Sequence, residues 1–304
     1  MTGVSIGAGG VRQAYGIKRM SSVEFDSESG PPPTSDLRVN IANMAQALGA
    51  IDRRARAKEG YTLFTINLDH LVKLKKDRRF REVYERADFV TADGWPIVWH
   101  LQRGDRRRMK RPGQKDRRRL ERTTGADLIA PVCAHAAEHG FPLYFVGPSP
   151  ASQSVALDIL RARYPGLRVA GAESPQLPVR FGEDTVDTLA ERIAKSGARL
   201  CVLSLGAPKQ ELLADALHKK IPDVGFLCVG AALDFISGHA VRAPVWLRRL
   251  KLEWMWRLAS DPARLAGRYA RCAGAFLNLV SAGPSRKGLS LRLVASEFVD
   301  ETYG

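Results

Sequence analysis

Six short apolar runs punctuate this chain: Thr62–Ile66, Phe89–Thr91, Leu143–Val146, Leu167–Ala170, Leu200–Leu205 and Gly225–Val229. Each is of strand length and bounded by turn residues, so each is read as a strand. Between and around them lie amphipathic stretches that predict helices over Ile41–Ala57, His70–Arg86, Ala126–His139, Ser152–Tyr164, Thr185–Ser196, Lys209–Lys219 and Val245–Leu258. Strands alternating with helices predict an α/β fold with a mainly parallel sheet flanked by helices. In such sheets ligands bind outside the carboxyl ends of the strands, so the residues just after each strand are the first candidates for chemistry.

The pattern also divides the chain. Residues 1–36 are rich in Gly, Ser and Pro, lack periodicity and read as a flexible leader. The GAGG within it follows no strand and carries no weight as a nucleotide loop. An α/β catalytic domain is predicted over 37–240. From Arg242 the character changes, with tryptophans and leucines alternating with arginines, as on a surface that meets something both greasy and anionic. That predicts a basic, aromatic helical appendage over 241–283 whose Trp246, Trp254 and Trp256 face a membrane, followed by a tail over 284–304. No uninterrupted apolar run is long enough to span a bilayer, and the N-terminus has no apolar signal region. The expected location is therefore cytoplasmic, peripherally attached to the inner face of the cell membrane.

Charge sharpens the question of partners. The net charge is +15 with a pI near 10.0, a surface that attracts phosphates of nucleic acid, lipid headgroups or nucleotide sugars. Between Arg103 and Arg122, 11 of 20 residues are Lys or Arg, read as a solvated basic loop over 103–119. Each such charge contributes about 1 kcal/mol of attraction near anionic lipid. That run carries no interleaved aromatics and no nucleic-acid module is recognisable, which counts against a nucleic-acid partner. The four cysteines are widely spaced in apolar surroundings, with no Cys/His cluster, and read as core thiols of a reducing compartment rather than metal ligands.

Several strand ends carry polar residues beyond what a turn needs. Thr65-Ile66-Asn67-Leu68-Asp69-His70 follows the first strand, where Asn67 is either a helix cap or a site residue and Asp69 reads as a cap. Asp93, in Ala92-Asp93-Gly94, is either a general base at a cleft edge or a cap for the helix near Pro96. Gly206-Ala207-Pro208-Lys209-Gln210-Glu211 is a strand–glycine–helix turn whose free N–H groups suit a phosphate or hydroxyl, with Lys209 and Gln210 placed to help. Arg122, ahead of Thr123-Thr124-Gly125-Ala126-Asp127, has the guanidinium geometry that suits a diphosphate.

Taken in order, these elements resemble the TagA/WecG/CpsF family of bacterial glycosyltransferases, which includes N-acetylmannosaminyltransferases. The matching elements are Thr65-x-Asn67, Ala92-Asp93-Gly94, Arg122-x-x-Gly125-x-Asp127, Gly206-x-Pro208-Lys209-Gln210-Glu211, Gly230 through Asp234, and Arg242-Ala243-Pro244-x-Trp246. They continue into Leu252-Glu253-Trp254, Arg257 and Pro262-x-Arg264, and cover roughly residues 37 to 280. The resemblance implies a Rossmann-like core and an inverting, metal-independent, cofactor-free transfer. It implies a UDP-sugar donor and a polyprenyl-diphosphate-linked saccharide acceptor in cell-surface polysaccharide assembly. No Asp-x-Asp metal motif occurs in the chain.

Carried over by residue, the resemblance makes Asp93 the base that deprotonates the acceptor hydroxyl, with Thr65, Asn67 and Asp127 lining the substrate site. Gln210 and Glu211 would contact donor sugar or nucleotide, and Arg122, Arg257 and Arg264 would neutralise diphosphate. Asp234 and Arg242 are expected to be structural, paired with each other. A homo-oligomer is compatible with this reading. Two places depart from the family pattern: Pro148 stands where a second glycine is usual, and Ser174-Pro175-Gln176 where a Gly-Tyr pair is expected. The rival class is a basic nucleic-acid-binding protein. A nucleotide-dependent oxidoreductase is weaker still, because no GxGxxG follows a strand.

Overall fold

The computed structural model describes residues 36–108, 120–250, 252–281 and 290–294; the leader call and most of the basic-loop call fall outside them. All six predicted strands are present: β2 (Tyr61–Ile66), β3 (Phe89–Ala92), β4 (Leu143–Val146), β5 (Val169–Glu173), β6 (Leu200–Leu203) and β7 (Gly225–Cys228). They form one all-parallel sheet in the order β3-β2-β7-β6-β4-β5. Every residue of β2, β3, β4, β6 and β7 is buried, because helices cover both faces, and this is why those strands read as continuous apolar runs rather than alternating ones. Only β5, at the sheet edge, is half-exposed.

The helices divide between the two faces. The first face carries α2 (Leu68–Lys76), α3 (Arg78–Arg86), α4 (Trp95–Arg108), α7 (Glu183–Lys195) and α8 (Lys209–Lys220), packed around Phe64, Phe80, Val146, Leu213 and Phe226. The second carries α1 (Met44–Ala57), α5 (Gly125–His139), α6 (Pro150–Arg163) and α9 (Ala232–Ser237), around Ile51, Leu128, Phe145 and Leu227. Neighbouring strands β2 and β7 therefore send their following helices, α2 and α9, to opposite faces. That leaves a crevice at their carboxyl ends, the switch point where ligands of open α/β sheets bind.

Where observed elements depart from the periodicity, local chemistry explains the difference. The predicted helix over His70–Arg86 is two helices, because Asp77 accepts from the Phe80 N–H at 3.0 Å and caps α3 while ending α2. The predicted helix over Val245–Leu258 is likewise two, α10 (Val245–Arg249) and α11 (Glu253–Ser260), followed by α12 (Pro262–Ser281), which packs on α2, α4 and α11. Residues 103–108, read as the start of a basic loop, are the last turns of α4. A strand β1 (Asp36–Val39) pairs in parallel with β8 (Ser290–Leu293), so part of the expected tail returns to the body. Neither strand was predicted; DLRV and SLRL each interrupt their apolar residues with an arginine, so neither shows the unbroken apolar run that marks the strands of the main sheet. All four cysteines are buried and unpaired. No described helix is long and apolar enough to cross a membrane.

Candidate functional site

Asn67 and Asp93 end adjacent strands of the sheet. The Asp93 N–H donates to the Ile66 carbonyl at 2.8 Å, continuing the β2–β3 ladder one step past the strands. Gly94 follows with φ +97°, a left-handed conformation that L side chains rarely adopt, and so frees the chain to turn directly into α4.

Asn67 serves as cap and as site residue at once. Its Oδ1 accepts from the backbone N–H groups of Asp69 (3.0 Å) and His70 (3.2 Å), and its Nδ2 donates to Asp93 Oδ2 at 3.2 Å. The cap is therefore Asn67 and not Asp69, correcting the reading of Asp69. Asp69 turns its carboxylate to Lys73 (2.7 Å) and to Arg268 of α12 (3.0 Å). Burial works against that charge, but the Lys73 hydrogen bond and the Arg268 and Lys73 charges outweigh it and hold the carboxyl below its usual range.

Behind Asn67 lies a buried polar cluster. His70 Nδ1 lies 2.7 Å from Asn67 Oδ1, and His70 Nε2 lies 3.4 Å from Glu211 Oε1. Glu211 is fully buried, and Gln210 Nε2 donates to it at 2.8 Å. The Asn67 N–H also donates to His70 Nδ1 at 3.3 Å, closing a capping box at the start of α2; with the amide oxygen taken up by the N–H groups of Asp69 and His70, the Asn67 NH2 group is left to face Asp93. His70 was not singled out from sequence; its place one helical turn after a strand-end asparagine was the available signal.

Desolvation pushes the Asp93 carboxyl above its ordinary value. The Asn67 hydrogen bond and the positive charges of His70, Arg257 and Arg122 oppose that shift without cancelling it. A carboxylate held short of water and made more basic, at the carboxyl end of the sheet, is equipped to take a proton.

Arg122 and Arg257, two of the three arginines expected at a diphosphate site, lie in one cluster with Arg242, held by carboxylates. Arg122 reaches Asp127 at 3.1 Å and Glu253 at 3.4 Å; Arg257 reaches Glu253 at 2.8 Å; Arg242 reaches the other Asp127 oxygen at 2.6 Å. Thr124, the N-cap of α5, also donates to Asp127 at 2.8 Å. Burial would raise the Asp127 pKa, but the Arg242 hydrogen bond and charge, the Thr124 bond and Arg122 bring it below the usual carboxylate range. Asp127 thus works here as a clamp on two guanidinium groups. The Arg242 partner is Asp127 and not Asp234, which instead accepts from Ser152 at 2.7 Å, correcting the expected pair. Counting Arg122, Arg242 and Arg257 against Asp127 and Glu253, the cluster keeps one net positive charge.

Several other expected residues are buried or engaged within the protein. Thr65 is buried within β2, one layer below Asn67. Gln210 is 2% exposed, its Oε1 accepting from the N–H groups of Gly206 (3.3 Å) and Gly230 (3.0 Å). It ties together the loops after β6 and β7, so Gln210 and Glu211 support the site from beneath, where a donor contact was expected. Lys209 donates to the Leu177 carbonyl at 3.2 Å. Arg264 belongs to α12, and its side chain falls outside the described residues. Trp246 (61%) and Trp254 (48%) are exposed, whereas Trp256 is half-buried with its Nε1 donating to the Val241 carbonyl at 3.2 Å. Glu253, which links Arg122 to Arg257, was quoted from sequence without a role.

These features lie within the stretch that known proteins share with this chain. Residues 34–287 match the model of the glycosyl transferase WecG/TagA/CpsF family, and the chain belongs to that family.

Proposed function

We propose that this glycosyltransferase moves a sugar from a UDP-sugar to the hydroxyl of a polyprenyl-diphosphate-linked saccharide, with inversion and without a metal, during cell-surface polysaccharide assembly. One observation carries the assignment of the base. Among the carboxylates gathered around this crevice, Asp127 and Glu253 are clamped by guanidinium groups and Glu211 is sealed below the surface. Asp93 accepts from an amide and is made more basic by its surroundings. The acceptor oxygen attacks the anomeric carbon, its proton passes to Asp93, and the bond to UDP breaks with its electron pair leaving on the diphosphate. A single carboxylate in that position fits a single displacement, hence inversion. The Arg122–Arg257 cluster supports the leaving diphosphate with preorganised charge, a device that typically contributes a factor of about 10²–10³ per donor.

Attachment to the inner membrane face belongs to the same proposal. It is supported by the exposure of Val241, Val245, Trp246, Leu250, Trp254 and Met255 beside Arg248 and Arg249. Such a surface buries apolar side chains at the headgroup boundary while its arginines meet anionic lipid.

The test is a variant that keeps the shape and loses the base. Asp93→Asn should abolish UDP release in the presence of a UDP-sugar and a short-chain prenyl-diphosphate acceptor. It should also raise the thermal midpoint at neutral pH. The folded-state pKa of Asp93 is raised, so between its unfolded value and that raised value the folded state binds more protons, and the group loses stability as pH rises through that window. Asparagine removes this penalty, and the gain should vanish below about pH 4, the unfolded range of an aspartate. Near-normal turnover in Asp93→Asn would remove the proposed base.

A further inference from the structure

At the opposite end of the sheet, α1 and α5 bring together three side chains that the transfer reaction does not use. Asp52 projects from α1, and His135 and His139 from the last two turns of α5. One ligand atom from each can be chosen so that all lie within 4.8 Å of one another. We infer that Asp52, His135 and His139 form a binding site for a divalent transition metal of the zinc class.

Several independent features support it. The i,i+4 spacing of the histidines puts both rings on one face of α5, with centroids 4.1 Å apart. His139 Nδ1 is 3.0 Å from the His135 carbonyl, which can only accept, so the proton sits on Nδ1 and the Nε2 lone pair is left for a ligand. An imidazole whose second nitrogen donates to a backbone carbonyl is the usual outer-shell arrangement of a metal-binding histidine. Phe141 stacks on the His139 ring at 5.9 Å and 19°. His135 Nε2 already lies 2.8 Å from Asp52 Oδ1, and Arg56 grips that carboxylate from the other side at 2.8 and 2.9 Å. Zinc–ligand bonds of about 2.0–2.2 Å leave ligand atoms about 3–4 Å apart, so a small rotation of the rings completes the site.

The platform is rigid: Ile51, beside Asp52, and Cys133 and Ala136, on the α5 face that carries His135 toward the core, are buried. The cluster also sits at the carboxyl end of α5, where the helix dipole favours a cation. On binding, the metal takes the place of the proton between His135 Nε2 and Asp52 Oδ1; that proton leaves to solvent while solvent returns one to Nδ1, so the ring ligates as a neutral imidazole. Two imidazoles and one carboxylate suit zinc, and suit copper and nickel by the general affinity order, better than calcium or magnesium. Bound there, the ion would bridge α1 and α5.

The probe is ZnCl2 titrated calorimetrically into the chelator-stripped full-length chain. One saturable 1:1 site is expected, with a rise in thermal midpoint at saturating zinc. His139→Gln and Asp52→Asn should each weaken it at least about tenfold, the scale on which such sites respond to altered ligand shells. His239→Gln, at an exposed histidine elsewhere, should leave it unchanged. Co2+ added to the unaltered chain gives a reading independent of any variant. Visible d–d bands without a thiolate charge-transfer band are expected, whereas a thiolate band would assign the metal to a cysteine. No saturable zinc binding, or binding indifferent to both His139→Gln and Asp52→Asn, would overturn the inference.

Discussion

Replacing Asn67 with serine separates the two roles of that residue. Serine caps helices about as well as asparagine, so the N–H groups of Asp69 and His70 keep a partner and α2 should remain formed. What is lost is the 3.2 Å bond from Asn67 Nδ2 to Asp93 Oδ2. A hydrogen bond to a charged group contributes about 1.5–3 kcal/mol, and this one is at the long end of the distance range, so about 1.5 kcal/mol is a fair value. At 1.36 kcal/mol per pKa unit, that is a shift of about one unit. Its sign follows from which form is stabilised. The bond favours the carboxylate, so its loss raises an Asp93 pKa that burial has already raised. A base works only when ionised. The acid limb of the pH profile of kcat/KM for UDP release should therefore move up by about one unit, with low-pH rates falling most and the high-pH plateau least. At neutral pH the thermal midpoint should fall modestly, because a still higher Asp93 pKa adds to the cost of its ionised form, and the loss should fade below about pH 4, where aspartate is protonated in both states. An acid limb that stays in place, or moves to lower pH, would refute the proposed coupling between Asn67 and the base.

The remaining predictions concern the supports of the crevice. Arg257→Ala should lower kcat by about 10²-fold or more, measured at saturating donor on the high-pH plateau, because charge at the leaving group is lost; the acid limb should also move up, since Arg257 restrains the Asp93 pKa. Arg242→Ala should destabilise the chain by about 1–2 kcal/mol in urea titration, since it leaves a partly buried Asp127 with one fewer guanidinium partner. Gly125→Ala should cost about 1–3 kcal/mol, because a Cβ there would lie 2.5 Å from the backbone of Val229; an unchanged urea midpoint would contradict the close approach of α5 to the end of β7. The double variant Trp246→Ser, Leu250→Ser should weaken binding to vesicles containing anionic lipid without lowering the thermal midpoint, both side chains being exposed. Equal binding by the parent and variant chains would separate those residues from the membrane.

How much of this was legible before the fold was known depended on distance along the chain. The six sheet strands were readable because burial on both faces writes itself as unbroken apolar runs, and β2 and β3 brought Asn67 and Asp93 into view as strand-end residues. The pairing β1–β8 was not, because its partners are more than 250 residues apart and each strand carries an arginine in place of an unbroken apolar run. The same holds for the carboxylates. Asp127 and Asp234 look alike in sequence, each placed near the start of a helix, and nothing local shows that Arg242 swings to the former. Gln210 and Glu211 were expected to contact the donor, and nothing local shows that they are buried, because an apolar chain would normally mark a buried position. Here polar side chains are buried because the N–H groups of Gly206 and Gly230 need an acceptor there.

The contacts of the C-terminal segment change what that segment means for the reaction. Glu253 opens α11 and holds Arg257 and Arg122 together; Arg268 of α12 reaches back to Asp69 in the first turn of α2. The two links sit on either side of Asn67 and Asp93, one joining the loop before α5 and the other the helix that Asn67 caps. Arg257 is also among the charges that restrain the Asp93 pKa. Moving α11 away would therefore withdraw charge from the leaving-group side and make Asp93 still harder to ionise, so both halves of the reaction would weaken together. The segment that exposes Trp246 and Trp254 is thus mechanically continuous with the electrostatics of the base. On the proposed reading, contact with a lipid surface bears on catalysis through the position of α11, not only through the local concentration of acceptor.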